Sequence, residues 1–427
     1  MKEDFLHYVW KFTKFNSLSL QTEEGEVINI IKLGTHNQNE SGPDFFNAQL
    51  QIGNQQWAGN VEIHLKSSDW YAHGHQNDVA YQNVILHVVW EHDMDVFRRD
   101  ESKIPTLVLK NRVQESATKN YQQLLENSLK WINCETDFAS FDDFKLKNWL
   151  ERVYVERLEE KSILIQKLLQ NSKNNWNEVL FCMLAKNFGL KLNGDSFMSV
   201  ANSIPYHVFQ KCYQNQFQLE ALLFGQAHLL EKQDVENSYF QNLLKEYAYL
   251  QQKFQLQNKS VLPVRFYGAR PTNFPTIRLA QLASLFHTQQ YLFSEIIKAT
   301  TREDIARLFK IEVSDFWLNH YTFDKKSKPR KKQLTQNFID LLIINTVVPL
   351  QFSFAKFTQN LEVEHASLKL ISSLPPEKNN IINKFLSARN DAANNALESQ
   401  ALLYLKKNYC DLNKCLQCNL GIELLGR

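Results

Sequence analysis

Glycine and proline are both scarce in this chain, at 12 and 10 among 427 residues. A protein built from tight turns and many short strands uses far more of both, so most of the length is expected to be helical. Cysteine is scarce as well, with six residues. That excludes a disulfide-stapled scaffold and points to reduced thiols. No apolar run reaches the roughly 20 residues needed to span a bilayer. The nearest, residues 338–354, carries Asp340, Asn345 and Pro349 and reads as a buried helix. Residues 1–15 mix Lys2, Glu3, Asp4 and Lys11 with aromatics and lack the apolar core of a secretory signal. A cytoplasmic protein without membrane contact is the expectation. An excess of one charge is also missing: 48 basic against 46 acidic residues leave +2. A polyanion would therefore have to be held by a local patch.

What is present divides into two regimes. Residues 27–33, 46–52, 57–66, 84–90 and 106–109 are rich in β-branched and aromatic side chains and read as strands. Gly53-Asn54 between two of them is a hairpin signal. A helix over 5–15 is expected to pack on this sheet, and 70–83 to hold a short helix or a structured loop. Beyond Cys134 the apolar spacing becomes helical. Helices are expected over 142–171, 176–188, 219–232, 234–256, 276–286, 290–299, 302–309, 334–354, 366–374, 378–385 and 391–407. The fold class predicted is an α+β N-terminal domain, a small mixed sheet with flanking helices, followed by a large all-α domain. Boundaries at 1–115, a linker over 116–140 and a helical domain over 141–427 follow from the change of period.

The densest chemistry lies between Ser41 and His92. In a strand, Glu62, His64 and Lys66 share one face while Val61, Ile63 and Leu65 share the other. A row of acid, imidazole and ammonium is costly to bury unless its members pair or bind something. Asp44 follows Gly42-Pro43 at a turn, one hairpin partner away from the Glu62 strand, which can bring the two carboxylates together. Two such carboxylates suit Mg²⁺ or Mn²⁺, with Lys66 or His64 positioning a water. Five of the twelve histidines, His64, His73, His75, His87 and His92, fall in this span. A rival site is Zn²⁺ on His73 and His75 with His64, His87 or Asp78. The bland alternative is a solvated sheet face with weak ion pairs.

Two other features bear on chemistry. Cys410, Cys415 and Cys418 close the chain, the last two as a Cys-x2-Cys pair. Zinc or an iron–sulfur cluster would take such thiolates, with Cys134 or a histidine as fourth ligand; buried structural cysteines are the competing reading. Lys325–Lys332 is a basic cluster able to meet a phosphate backbone. Arg265, Arg270 and Arg278 flank an aromatic segment and are expected to pack.

Pro43-Asp44 followed by Glu62-Ile63-His64 resembles the core of the PD-(D/E)xK nucleases. There, a Pro-Asp turn leads into one strand and the next carries an acid-x-lysine pair within an α-β-β-β-α-β order. The resemblance implies a restriction-endonuclease-like domain acting on nucleic acid. Here histidine stands in the lysine place, and Lys66 lies two residues on. The chain also resembles a bacterial family, the domain of unknown function 2851 family. The residues that carry this are Gly42-Pro43-Asp44-Phe45, Gly59-Asn60-Val61-Glu62-Ile63-His64, Ser68-Asp69-Trp70, His73-Gly74-His75 and Val84-Ile85-Leu86-His87-Val88-Val89. Later segments include Glu220–Ala227, Arg270-Pro271-Thr272-Asn273-Phe274-Pro275, Arg278–Ala283 and Cys415-Leu416-Gln417-Cys418. Three functional expectations follow: a divalent-metal-dependent nuclease using Asp44, Glu62, His64, Lys66, His73, His75 and His87; a non-catalytic binding or scaffold protein; and a zinc hydrolase using the histidines.

Overall fold

The computed structural model describes residues 1–37, 41–125, 130–231 and 235–426. They form two compact units, Met1–Trp149 with Leu405–Arg427, and Leu150–Tyr404.

The first unit holds one mixed sheet. Its strands are β1 (Leu20–Gln21), β2 (Val27–Lys32), β3 (Thr35–His36), β4 (Phe45–Ile52), β5 (Gln55–Lys66), β6 (Val84–Glu91) and β7 (Thr106–Val108). Their order is β1-β2-β4-β5-β6-β7, with β3 also on β4. Pairing is antiparallel from β1 to β5 and parallel from β5 to β7. The five longer strands lie where the alternating patterns place them. Gly53, at φ 57°, makes the two-residue turn joining β4 to β5.

Helix α1 (Glu3–Lys11) has acids in its first turn and Lys11 in its last, which suits the helix dipole. It buries Phe5, Leu6, Val9 and Trp10 in a core shared with Leu50, Val61, Ile63, Leu86 and Val88 of the sheet. It stops four residues short of the expected Phe15, because Phe12 leaves the helical region and Thr13 turns to φ 50°. In β4 a bulge between Phe45 and Ala48, with Asn47 at φ 56°, resets the register just after Asp44.

Parallel pairing of β5 and β6 forbids a hairpin and requires a crossover. Residues 67–83 supply it, through α2 (Asp69–Ala72) and two single 3₁₀ turns, His75–Asn77 and Val79–Tyr81. Trp70 and Tyr81 anchor it in a second small core with Val84, Val96 and Ile104. The expected linker over 116–140 is structured in part. Helix α3 (Glu115–Leu125) buries Ala117, Tyr121 and Leu124 in the first core, while 126–129 lie outside the described residues. The terminal helix Asn419–Gly426 adds Leu425 to the same core. The terminal cysteine segment therefore packs with the sheet-bearing unit, and assigning it to a helical domain over 141–427 has to be corrected.

The second unit is helical. Most helices match their expected spans within a few residues; the ends expected at Lys232 and Asp234 lie outside the described residues. Leu190–Ser203 and Tyr206–Lys211 are additional helices, their apolar residues too interrupted by polar ones to show a period. Residues 336–358 form a helical run long and apolar enough to cross a membrane, and 83% of its 18-residue apolar window is buried within the protein. The run is broken by a π turn at Ile343–Val347. Pro349 has no N–H for the carbonyl of Asn345, which accepts from Asn187 Nδ2 at 3.3 Å.

One glycine controls how closely β5 and β6 approach. A Cβ at Gly59 would lie 2.4 Å from Ile85 Cγ2 and 2.6 Å from the Asn83 carbonyl oxygen. Gly59→Ala is expected to destabilise the chain by about 1–3 kcal/mol through overpacking against backbone. Urea unfolding followed by tryptophan fluorescence measures this; an unchanged midpoint would show that the strands yield freely.

Candidate metal centre

Both faces of central β5 are covered, so Val61, Glu62, Ile63 and His64 are all buried. The apolar pair enters the main core. The polar pair meets β6, where Glu62 registers with His87 and His64 with Val89. His64 Nδ1 lies 2.7 Å from His87 Nε2, and its Nε2 lies 3.1 Å from His73 Nδ1. The crossover brings in His75, whose Nε2 is 3.2 Å from Glu62 Oε1; His64 Nε2 is 3.5 Å from the same oxygen. Ring nitrogens of His64, His73 and His75 all lie within 4.8 Å of one another. Gly74 between the last two, at φ 76°, turns the chain so that both rings point inward. Tyr81 stacks on His75 at 3.8 Å between ring centroids, and Trp70 packs edge-on to it at 5.4 Å.

Backbone N–H groups of the two strands lock Asp44 and Glu62 in place. The Asp44 N–H donates to Glu62 Oε2 at 3.1 Å, and the Ile63 N–H donates to Asp44 Oδ2 at 2.9 Å. His7 of α1 sits 3.2 Å from that same Asp44 oxygen. Neither His7 nor its neighbour Glu3 was among the residues expected here. The sequence signal was the i, i+4 pair they make on the polar side of an otherwise apolar N-terminal helix.

Burial dominates the electrostatics. It pushes the Glu62 carboxyl up to about 9, with the Asp44 carboxylate adding to the rise. Burial and the neighbouring histidines bring His64 down to about 2, and burial brings His87 to about 3. His75 is lowered for the same reason, against the pull of Asp44. His7 goes the other way: burial opposes its charging, but the hydrogen bond and charge of Asp44 outweigh it and its pKa is raised. The result is a pocket of neutral imidazoles beside a carboxyl that keeps its proton. A metal binds neutral imidazole and deprotonated carboxylate, so an ion here would find its imidazole donors ready and would have to displace the Glu62 proton.

The remaining expected residues fall elsewhere. Lys66 is exposed at the end of β5, and its side chain makes no hydrogen bond or ion pair to Asp44 or Glu62. His64 alone occupies the basic place. His92 bonds Ser67 Oγ at 2.9 Å, and Asp78 caps the turn that begins at Val79. Arg278 is buried, bonded to Gln281 and Asn273 and lying 3.5 Å over the Phe338 ring, which is a packing role. Lys332 of the basic segment is also buried, donating to the Leu318 and Arg330 carbonyls. Cys410, Cys415 and Cys418 line a separate cleft.

These shifts make the metal-free chain sensitive to pH in both directions. Folded, Glu62 keeps its proton to about pH 9 but unfolded loses it near 4.5, so stability falls as pH rises through that interval. His64 and His87 stay neutral when folded but take protons below about 6.5 when unfolded, so stability also falls as pH drops below that value. Where the windows overlap the two histidines outweigh the one carboxyl, so the joint contribution of these three groups is greatest near pH 6.5. In EDTA, Glu62→Gln is expected to flatten the alkaline fall while leaving the acid limb in place. Urea midpoints across this range decide it; an alkaline limb identical in both proteins would refute the buried-carboxyl account.

No curated protein and no solved structure matches the chain. The model of one family, described as a protein of unknown function (DUF2851), matches residues 3–380. That span contains every residue of the site and ends before the terminal cysteines. Because the match covers most of the chain, this protein belongs to the DUF2851 family.

Proposed function

We propose that this protein is a divalent-metal-dependent hydrolase of phosphodiester bonds in nucleic acid, with Glu62, His64, His73 and His75 holding the ion. The observation that carries this is the convergence of three imidazole nitrogens from β5 and its crossover, with a Glu62 oxygen 3.2 Å from His75 and 3.5 Å from His64. Imidazole donors favour Zn²⁺ or Mn²⁺ over Mg²⁺, which prefers oxygen. The donor set therefore moves the metal assignment from a two-carboxylate Mg²⁺ site toward a histidine-rich one. An ion there supplies a Lewis acid for the phosphate and lowers the pKa of a bound water.

The chain's own residues divide the remaining work. Asp44 orients the Glu62 carboxylate through its backbone N–H and holds His7. His7, kept basic by Asp44, is placed to protonate a leaving oxygen. His87 fixes the orientation of the His64 ring, the role an outer partner plays for a ligating histidine. Exposed His73 and the partly open Asp44 leave the centre accessible from solvent. Nucleic acid is favoured as substrate by the order of elements: a helix, antiparallel strands with Pro43-Asp44 entering one and Glu62-Ile63-His64 in the next, a crossover, then a parallel strand. With β2, β4 and β5 taken as its three antiparallel strands and β1, β3 and β7 as additions, this order supports the PD-(D/E)xK resemblance.

A second reading, binding without cleavage, is favoured by one observation. The lysine of that pattern has no counterpart, since His64 is buried against His87 and Lys66 faces solvent.

Metal content of the full-length protein and cleavage of labelled DNA and RNA with Zn²⁺, Mn²⁺ or Mg²⁺ separate the two readings. Expected are about one Zn²⁺ or Mn²⁺ per histidine site, cleavage that requires it, and loss of cleavage in Glu62→Ala and His75→Ala. His87→Ala is expected to weaken metal affinity by about 10–100-fold. Metal and nucleic acid bound without cleavage would leave the binding reading standing; no metal at the histidines would end both.

A further inference from the structure

Four of the six cysteines meet at a place remote in sequence and separate from the histidine centre. Cys134 follows α3, and Cys410, Cys415 and Cys418 lie in the terminal segment of the same compact unit. The whole helical unit, Leu150–Tyr404, intervenes between them in the chain. All four line one small cleft, with a cavity volume of about 20 Å³, together with Leu124 and Gly421. None is in a disulfide. Cysteines that served only as small apolar filler would close on one another, as protein interiors do. Here all four face one small shared cavity instead.

Burial raises all four thiols, so they keep their protons until an ion displaces them, while nearby donors are in place for the sulfurs. Asn133 Nδ2 donates to Cys415 Sγ at 3.2 Å. The backbone N–H groups of Leu420 and Gly421 hydrogen-bond the Cys418 sulfur. Sulfur in a neutral thiol is a weak acceptor, whereas hydrogen bonds to metal-bound sulfur tune the centre. Gly421 is required for the close approach: a Cβ there would lie 2.2 Å from the Cys415 carbonyl oxygen.

Spacing discriminates between the ions that four thiolates could hold. On one zinc ion, sulfurs at about 2.3 Å bonds in a tetrahedron sit roughly 3.8 Å apart, all four mutually close. Among the described residues, the groups of three ligand atoms within 4.8 Å include the histidines but no three of these cysteines. An iron–sulfur cluster spreads its thiolates over different irons and leaves room for inorganic sulfide between them. The run Cys410-x4-Cys415-x2-Cys418 with one distant cysteine is also a spacing used by such clusters.

We infer that Cys134, Cys410, Cys415 and Cys418 hold an iron–sulfur cluster, which fastens the end of the chain to the segment after α3. The site lies beyond residue 380, where the family match ends, apart from Cys134. It is independent of the histidine centre, because only the cysteine site would take up sulfide.

The test uses the full chain purified without oxygen, or its metal-free form incubated with ferrous iron and sulfide. Expected are a brown protein with visible charge-transfer absorption, iron and acid-labile sulfide in equal amounts, and a paramagnetic signal on one-electron reduction. The iron count and the signal distinguish a two-iron from a four-iron cluster. The double variant Cys182→Ser/Cys212→Ser leaves only the four cleft cysteines and is expected to keep iron and sulfide in full. Cys134→Ser and Cys415→Ser are expected to lose most of both, with circular dichroism reporting whether they remain folded. Zinc bound without sulfide would overturn the proposal. So would a colourless wild-type chain after reconstitution, or loss of the cluster in the double variant.

Discussion

The constraint on which the first unit turns is a strand covered on both faces. β5 is the central member of the mixed sheet, and its middle residues alternate between a wholly apolar core and a wholly polar cluster with no solvent-exposed face between. Burying Glu62 and His64 in this way is unfavourable unless their polar atoms find partners. The centre supplies many such partners, the Asp44 amide for Glu62 and His87 and His73 for His64, while His75 Nε2, 3.2 Å from Glu62, and His87 Nδ1 stay without a hydrogen bond among the described residues. Parallel pairing to β6 is what makes this possible. A hairpin after β5 would have left its polar face to water, whereas the crossover lays His73, His75 and Tyr81 over it.

The same burial sets the electrostatic character. A carboxyl that keeps its proton and imidazoles that refuse theirs are two results of one cause, removal of water from charged forms. His7, tied to Asp44 near the edge, escapes it. The centre therefore carries little charge of its own, and a divalent cation would exchange for the Glu62 proton rather than be drawn to a preformed anionic bowl. This suits an ion chosen by imidazole donors, and sets the site apart from a surface cluster of acids.

The terminal cysteine cleft and the histidine centre show a common principle at different scales. Within the sheet, residues two apart in one strand meet residues of the next strand and of the crossover. In the terminal cleft, residues on either side of a helical unit of some 250 residues meet after it has been traversed. In neither case does local sequence complete the set of ligands.

Strand periodicity was enough to place Glu62 and His64 on one face, and the Pro43-Asp44 turn enough to bring Asp44 near them, because strand alternation and hairpin closure are local rules. Helical periodicity likewise located most of the second unit. Sequence could not say that Lys66 would fall past the edge of the covered region, nor that His7 would reach Asp44 from another element, since both depend on where the sheet is covered. It marked His73 and His75 as dense, yet their convergence on Glu62 waited on the parallel register of β5 and β6. It named Cys134 only as one candidate for a fourth thiolate. The choice among candidates came from packing of α3 against the terminal helix, a contact between residues far apart in the chain. Composition and short-range periodicity determined the elements and the types of side chain available for chemistry; long-range packing decided which of them meet.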